Sequence, residues 1–307
     1  MYYVVYSLLY LLSLIPLRLL YLLSDCVFVL LYYVTGYRKQ VVMENLAIAF
    51  PEKTLKELRR IARSFYRNFV DNFIETLKLI SADEKFLRRH FAIMNPELLE
   101  ELWKNGRKCQ VHMGHNFNWE LANMAMPFYT SYTFLVVYMP LSNKIFDRLF
   151  LQIRKRTGSV LLPATDMNRS LLPYRKSQYM LTLVADQAPG NPESSYWLNF
   201  FGRPTAFLRA PERGARIGDI PVLFGNMHKT RRGYYLGEFE TGAQYPSQLP
   251  EGELTRRYVD FMERSIRKYP DLYLWSHRRW KHSWQSAFGK MWVGEKDELP
   301  LTQPESN

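Results

Sequence analysis

Two apolar runs open the chain, residues 2–17 and 19–34, separated by Arg18 and broken in the second by Ser24-Asp25. Each run holds 16 residues. As helix, either would extend ~24 Å at ~1.5 Å per residue, short of the ~30 Å hydrocarbon thickness of a bilayer. The pattern admits one straight span, or a pair kinked at Pro16 and lying shallowly in one leaflet. Tyrosines 2, 3, 6, 10, 21, 32 and 33 suit the water–lipid boundary. Met1-Tyr2-Tyr3-Val4 has no basic side chain and no A-x-A follows, so residues 1–35 are expected to stay as a membrane anchor. Arg38-Lys39 predicts that the body behind it lies on the cytoplasmic side of the membrane. Two buried helices of a soluble domain are the alternative.

The texture then changes. Gly36-Tyr37-Arg38-Lys39 reads as a link. Over residues 54–79, Leu55, Leu58, Ile61, Phe65, Phe69, Phe73 and Leu77 recur at three and four, with charged residues between them. This predicts an amphipathic helix with at most one break, opened by Pro51-Glu52 and closed by Ser81-Ala82-Asp83. From Cys109 onward short apolar runs (109–113, 133–138, 160–162, 180–185, 221–225) alternate with helical stretches such as 144–156. Strands alternating with helices predict an α/β fold, a mixed and largely buried sheet flanked by helices. The expected organisation is an anchor at 1–35, a catalytic domain at 36–298 and a flexible tail at 299–307.

Charge divides the chain the same way. Of 307 residues, 41 are Lys or Arg and 29 Asp or Glu; residues 1–35 hold only Arg18 and Asp25, so the whole +12 belongs to the body. A basic body seeks anionic partners: nucleic acid, phosphorylated cofactors, acidic carrier proteins or anionic lipid headgroups. Neither a zinc module nor an aromatic–basic RNA signature is present, which argues against nucleic acid. The two cysteines, Cys26 and Cys109, both lie in apolar runs and read as buried thiols. Two thiolates exclude a zinc site built on cysteine.

Chemistry is expected where a buried strand releases the chain into a helix, at His112-Met113-Gly114-His115-Asn116-Phe117-Asn118-Trp119-Glu120. Gly114 lets the backbone turn, and Asn116 or Asn118 can cap the next helix. With His115 in the turn and Glu120 in the first helical turn the two can converge, the carboxylate fixing the imidazole tautomer for general-base work on a hydroxyl. No Ser or Cys nucleophile motif accompanies them, so the hydroxyl would be the substrate's. The same residues also fit a helix-start histidine held by a carboxylate. His112-x-x-His115 lacks a spaced third metal ligand, and no metal or other cofactor is expected.

His-Asn-Phe-Asn-Trp-Glu at 115–120 resembles the H-x4-D/E motif of glycerolipid acyltransferases, and its surroundings are similar to the late acyltransferases of lipid A biosynthesis. Further matches are Glu44-Asn45-Leu46 with Phe50-Pro51, Val137-Tyr138-x-Pro140, Asp147-Arg148, Arg154-x-Arg156-x-x-Gly158, Ala185-Asp186-Gln187, residues 199–206, and Tyr273-Leu274-Trp275-Ser276-His277-Arg278-Arg279-Trp280-Lys281. The resemblance implies transfer of a fatty acyl group from a thioester, acyl carrier protein or coenzyme A, to a hydroxyl of a membrane lipid. The acceptor it implies is a lipid A precursor, with a lyso-aminolipid or lysophospholipid as the alternative. By the same match His115 is the base and Glu120 its orienting partner.

Arg154, with Arg156, is assigned to a developing oxyanion or a phosphate, and Asp186, beside Gln187, to ordering that cationic wall. Residues 143–176 support this with eight cations against Asp147 and Asp166. Phe200-Phe201-Gly202-Arg203 is balanced between core and acyl-chain groove. His277 and Arg278 are assigned to headgroup or membrane docking. A non-catalytic, membrane-tethered protein that binds anionic lipid is the contrasting class.

Overall fold

The computed structural model describes residues 1–295, so the tail expected at 299–307 and the boundary at 298 lie outside the described residues. Helices α1 (Tyr2–Leu14) and α2 (Leu17–Val29) are separated at Pro16, as the kink reading required, and α2 continues as a wider π turn to Thr35. Leu17–Thr35 is long and apolar enough to cross a membrane. Neither helix is detached from the body. Both pack on α4 (Leu55–Leu79), reached through α3 (Lys39–Ala49). Ser24 donates to Asp71 (2.7 Å), Tyr21 to Glu75 (2.8 Å), and Lys78 to the carbonyl of Ser13 (2.7 Å). Asp25 pairs with Arg232 (2.9 Å), which also grips Asp71 (2.7 Å). The outward side keeps leucines such as Leu8, Leu11 and Leu22 exposed, and Cys26 with them, against the expectation of a buried thiol; Cys109 is buried.

Helix α4 is unbroken and starts one turn later than Pro51 suggested, at a capping box between Thr54 and Glu57. Its apolar stripe does not hold throughout. Leu58, Ile61 and Phe65 are buried, but Phe73 is 55% exposed and the buried side continues through Asn68, Asp71, Asn72 and Glu75. Repeated steps of four advance about 40° each on a 3.6-residue helix, so by Phe73 the stripe has rotated out of the contact.

A second run of elements builds the sheet: α5 (Glu84–His90), β1 (Phe91–Ile93), α6 (Glu97–Lys104), β2 (Cys109–Met113), α7 (Trp119–Ala125), β3 (Thr133–Tyr138), α8 (Lys144–Lys155), β4 (Val160–Pro163), α9 (Met167–Leu171) and β5 (Tyr179–Val184). It ends with the hairpin β6 (Tyr196–Phe200) and β7 (Arg203–Phe207), then α10 (Ala210–Gly218), β8 (Val222–Arg231), β9 (Tyr234–Ala243) and α11 (Glu253–Lys268). The seven-stranded sheet runs β1-β9-β8-β2-β5-β3-β4, parallel from β8 to β4 and antiparallel at β8–β9. The fold is α/β with a mixed sheet flanked by helices, as the alternation of runs predicted. β1 and β9 were missed because one is three residues long and the other carries five polar or glycine positions among ten. Residues 36–39 are no free link: Arg38 donates to the carbonyl of Ser276 (2.9 Å), and Tyr66 donates to that of Tyr37.

Candidate active site

Strands β2 and β5 lie in parallel register with Met113 opposite Val184. Two residues beyond each strand end stand His115 and Asp186, so the register alone brings them side by side at the carboxyl edge of the sheet. Asp186 Oδ1 accepts from His115 Nδ1 at 2.5 Å, and Oδ2 accepts from the backbone N–H of His115 at 3.1 Å. The acid on the imidazole is therefore Asp186 and not Glu120, and Asp186 orders the histidine instead of a cationic wall. A proton on Nδ1, facing the carboxylate, leaves the Nε2 lone pair toward the open side. There the Gln187 amide Nε2 approaches it at 3.2 Å.

The carboxylate is 1% exposed. Burial alone would raise its pKa. The facing His115 ring, the two hydrogen bonds from that residue and the nearby Arg279 charge outweigh burial and hold it at about 2. Tyr273 adds a hydroxyl hydrogen bond to the same carboxyl. Beneath it Arg279 is 2% exposed, its guanidinium 4.1 Å from the ring centre of Phe207 and donating to the carbonyl of Ala206 at 3.0 Å.

The turn that carries His115 is clamped from three sides. The backbone of 272–274 pairs with it, Phe117 donating to Leu272 (3.0 Å) and Leu274 to His115 (3.1 Å). From α11, Tyr258 donates to the carbonyl of Met113 (2.7 Å), and Met262 packs so closely that a Cβ at Gly114 would lie 2.1 Å from its terminal carbon. Asn118, not Asn116, caps α7, accepting from Leu121 (3.1 Å); its amide donates to the buried Glu75 (2.9 Å), which also receives the Tyr235 hydroxyl (2.7 Å). Burial raises the pKa of Glu75 against the charge of Lys229 and these donors.

Glu120 serves a different partner. Arg154, from the last turn of α8, donates through Nε (2.8 Å) and Nη2 (2.5 Å) to its two oxygens, a bidentate pair of low exposure. Trp119 connects the two halves of the site: its indole N–H reaches Glu120 at 3.1 Å, and its ring meets the His115 ring edge-on at 5.6 Å. Removing one partner of a buried pair leaves the other charge stranded. Glu120→Gln is thus expected to cost about 3 kcal/mol of stability, read as a lowered urea midpoint. An unchanged midpoint would show the pair to be idle.

The other expected site residues are placed elsewhere. Arg156 donates to the carbonyls of Ile80 and Ala82, near the end of α4, and not toward His115. His277 is no docking group: its Nε2 accepts from the N–H of Ala188 at 3.1 Å, which fixes the loop carrying Asp186 and Gln187. Asn45 in turn donates to the carbonyls of Trp275 and His277, at 2.7 Å each. Arg203 and Arg278 are exposed. Phe200 and Phe201 are buried among Phe50, Phe207 and Trp280, so they belong to the core. His112 is in the core between Phe224 and Tyr258, where burial lowers its pKa to about 3. Among the described residues no group of three His, Cys, Asp or Glu could hold a metal. Arg279, which the sequence reading groups with residues 277–281 at the headgroup or membrane, is buried instead, and Tyr273 and Trp119, though inside the quoted motifs, have no role in that reading.

Over 246 residues, 80% of this chain and 79% of the relative, the sequence is 21% identical to the lipid A biosynthesis palmitoleoyltransferase of Escherichia coli strain K12. It is similar to the same extent to the lipid A biosynthesis acyltransferase of Shigella flexneri. The family model for the bacterial lipid A biosynthesis acyltransferase matches residues 1–282, both apolar helices and every element of the site included, and the chain belongs to that family of acyltransferases.

Proposed function

We propose that the protein moves a fatty acyl chain from a thioester, with acyl carrier protein as donor, to a hydroxyl of a lipid A precursor, using His115 as general base. The observation that carries this reading is the imidazole set between Asp186 on Nδ1 and an approachable Nε2. An acceptor hydroxyl that displaces the Gln187 amide comes within hydrogen-bond reach of Nε2. As its oxygen attacks the thioester carbonyl, the proton passes to Nε2 and Asp186 stabilises the imidazolium. The C–S bond then breaks, and the thiolate takes the proton back. Gln187, once displaced, has an amide N–H to offer the developing oxyanion, and Arg154 keeps Nη1 for a substrate anion while Glu120 holds Nε and Nη2.

The exposed leucines of α1 and α2 suit a seat in the bilayer, with Arg38-Lys39 favouring the cytoplasmic face. The lipid then need not leave the membrane while a soluble carrier delivers the chain. Purified protein given acyl carrier protein thioester or acyl-coenzyme A, with a lipid A precursor or a lysophospholipid as acceptor, is expected to give a product one acyl chain heavier from the precursor and the carrier thioester, read by mass spectrometry. Acylation of the lysophospholipid alone would move the acceptor to the alternative lipid class.

A further inference from the structure

The outward face of α8 takes no part in this chemistry, yet it carries a cationic concavity. A cleft of about 370 Å³ is lined by Arg148, Leu151, Gln152, Lys155 and Arg156. Among the described residues none of its three cations forms an ion pair, whereas Arg154 on the other side of the helix is matched by Glu120. Arg156 is spoken for, donating to the carbonyls of Ile80 and Ala82 with the charge of Asp83 nearby, so Arg148 and Lys155 are the cations of the cleft that no carboxylate pairs.

The first turn of α1 closes one side. Tyr2 donates to Gln152, and the Arg148 guanidinium lies 4.1 Å from the ring centre of Tyr2 and 5.3 Å from that of Tyr3. Arg148 also donates Nη2 to the Tyr3 hydroxyl (3.3 Å), so the stacking and this bond orient the guanidinium and leave its other N–H groups for a ligand. From that turn an apolar stripe runs along α1 at helical spacing: Val4 is 64%, Leu8 57% and Leu11 62% exposed. A cationic, tyrosine-flanked cleft at the end of an exposed apolar stripe has the layout of a lipid, headgroup at one end and chain along the other.

We infer that this cleft binds the phosphoryl headgroup of a membrane lipid whose chains lie along Val4, Leu8 and Leu11. The inference rests on the membrane-seated reading above. The phosphoryl group could be that of the bulk anionic lipid or of the acceptor itself, and two measurements separate them. The variant Arg148→Gln/Lys155→Gln, with the exposed Lys176→Gln, which does not line the cleft, as control, is tested for sedimentation with phosphatidylcholine vesicles and with an equimolar phosphatidylcholine–phosphatidylglycerol mixture. Its KM is measured on lipid A precursor dispersed in neutral detergent.

Two charges at about 1 kcal/mol each predict about 30-fold weaker binding to the anionic vesicles, with neutral vesicles and the control unaffected. This loss with unchanged KM assigns the cleft to bulk lipid. A KM raised by a similar factor with unchanged vesicle binding assigns it to the acceptor's phosphate. If neither quantity moves, the inference is wrong. If the wild-type protein binds neither vesicle, the membrane seat itself falls and the KM in detergent alone decides the cleft.

Discussion

His115→Ala should lower the rate of acyl transfer by about 10²–10⁴ while the protein stays folded and keeps its affinity for vesicles. The size follows from losing a positioned base with no substitute nearby. His112 is walled into the core at about 3, and His277, lowered to about 4 by burial first and by the Arg279 charge second, already uses Nε2 on Ala188. Both are neutral between pH 5 and 9, so neither contributes a limb to the pH–rate profile in that range. The fold should survive because the backbone N–H of residue 115 still donates to Asp186, and Tyr273 and Arg279 still face that carboxylate. Turnover of acyl carrier protein thioester, with thermal melting as control, checks this. A rate within threefold of wild type in a folded variant would remove His115 from the chemistry, and the basic, apolar-faced body would then read as a lipid-binding protein.

The sequence carried more of the strand order than of the polar contacts. Five apolar runs between Cys109 and Gly225 became the five parallel strands, because strands covered on both faces need continuous hydrophobicity and little else. The turn at Gly114-His115 was legible for the same reason, as the place where such a run ends. What the sequence hid was the identity of the acid. Spacing within one segment favours Glu120, five residues from His115, whereas the actual partner is 71 residues away. Yet the clue was present in paired form: Met113-Gly114-His115 and Val184-Ala185-Asp186 each place a polar residue two positions past a buried strand, and parallel register turns equal offsets into contact. The seat of α2 on α4 and the β8–β9 turn was less legible still. Its fastenings, Ser24 to Asp71, Tyr21 to Glu75 and Asp25 to Arg232, join residues 47, 54 and 207 positions apart that local periodicity cannot link.

Asp186→Asn should separate a base-orienting carboxylate from a merely structural one. Both carboxylate oxygens accept from the same residue, one from the imidazole Nδ1 and one from the backbone N–H. An asparagine has only one oxygen, so its NH₂ must face one of these donors. If the NH₂ faces the ring, the imidazole must turn Nδ1 into the acceptor and carry its proton on Nε2, the wrong tautomer for a base. If it faces the backbone, the turn loses the hydrogen bond that sets the height of His115. Either arrangement should reduce kcat by about 10³–10⁴, with the acceptor KM changed little because no substrate contact is lost. Stability should respond in a defined pH window. A carboxyl held at about 2, against an ordinary 3.8, stabilises the wild-type fold fully above about pH 4 and loses that contribution as pH falls toward 2. The variant lacks this group, so its stability deficit should be largest at neutral pH and shrink on acidification. Kinetics on the precursor and urea melts between pH 3 and 7 test both statements. A KM effect with kcat intact would place Asp186 in substrate binding, and the base would then need another partner.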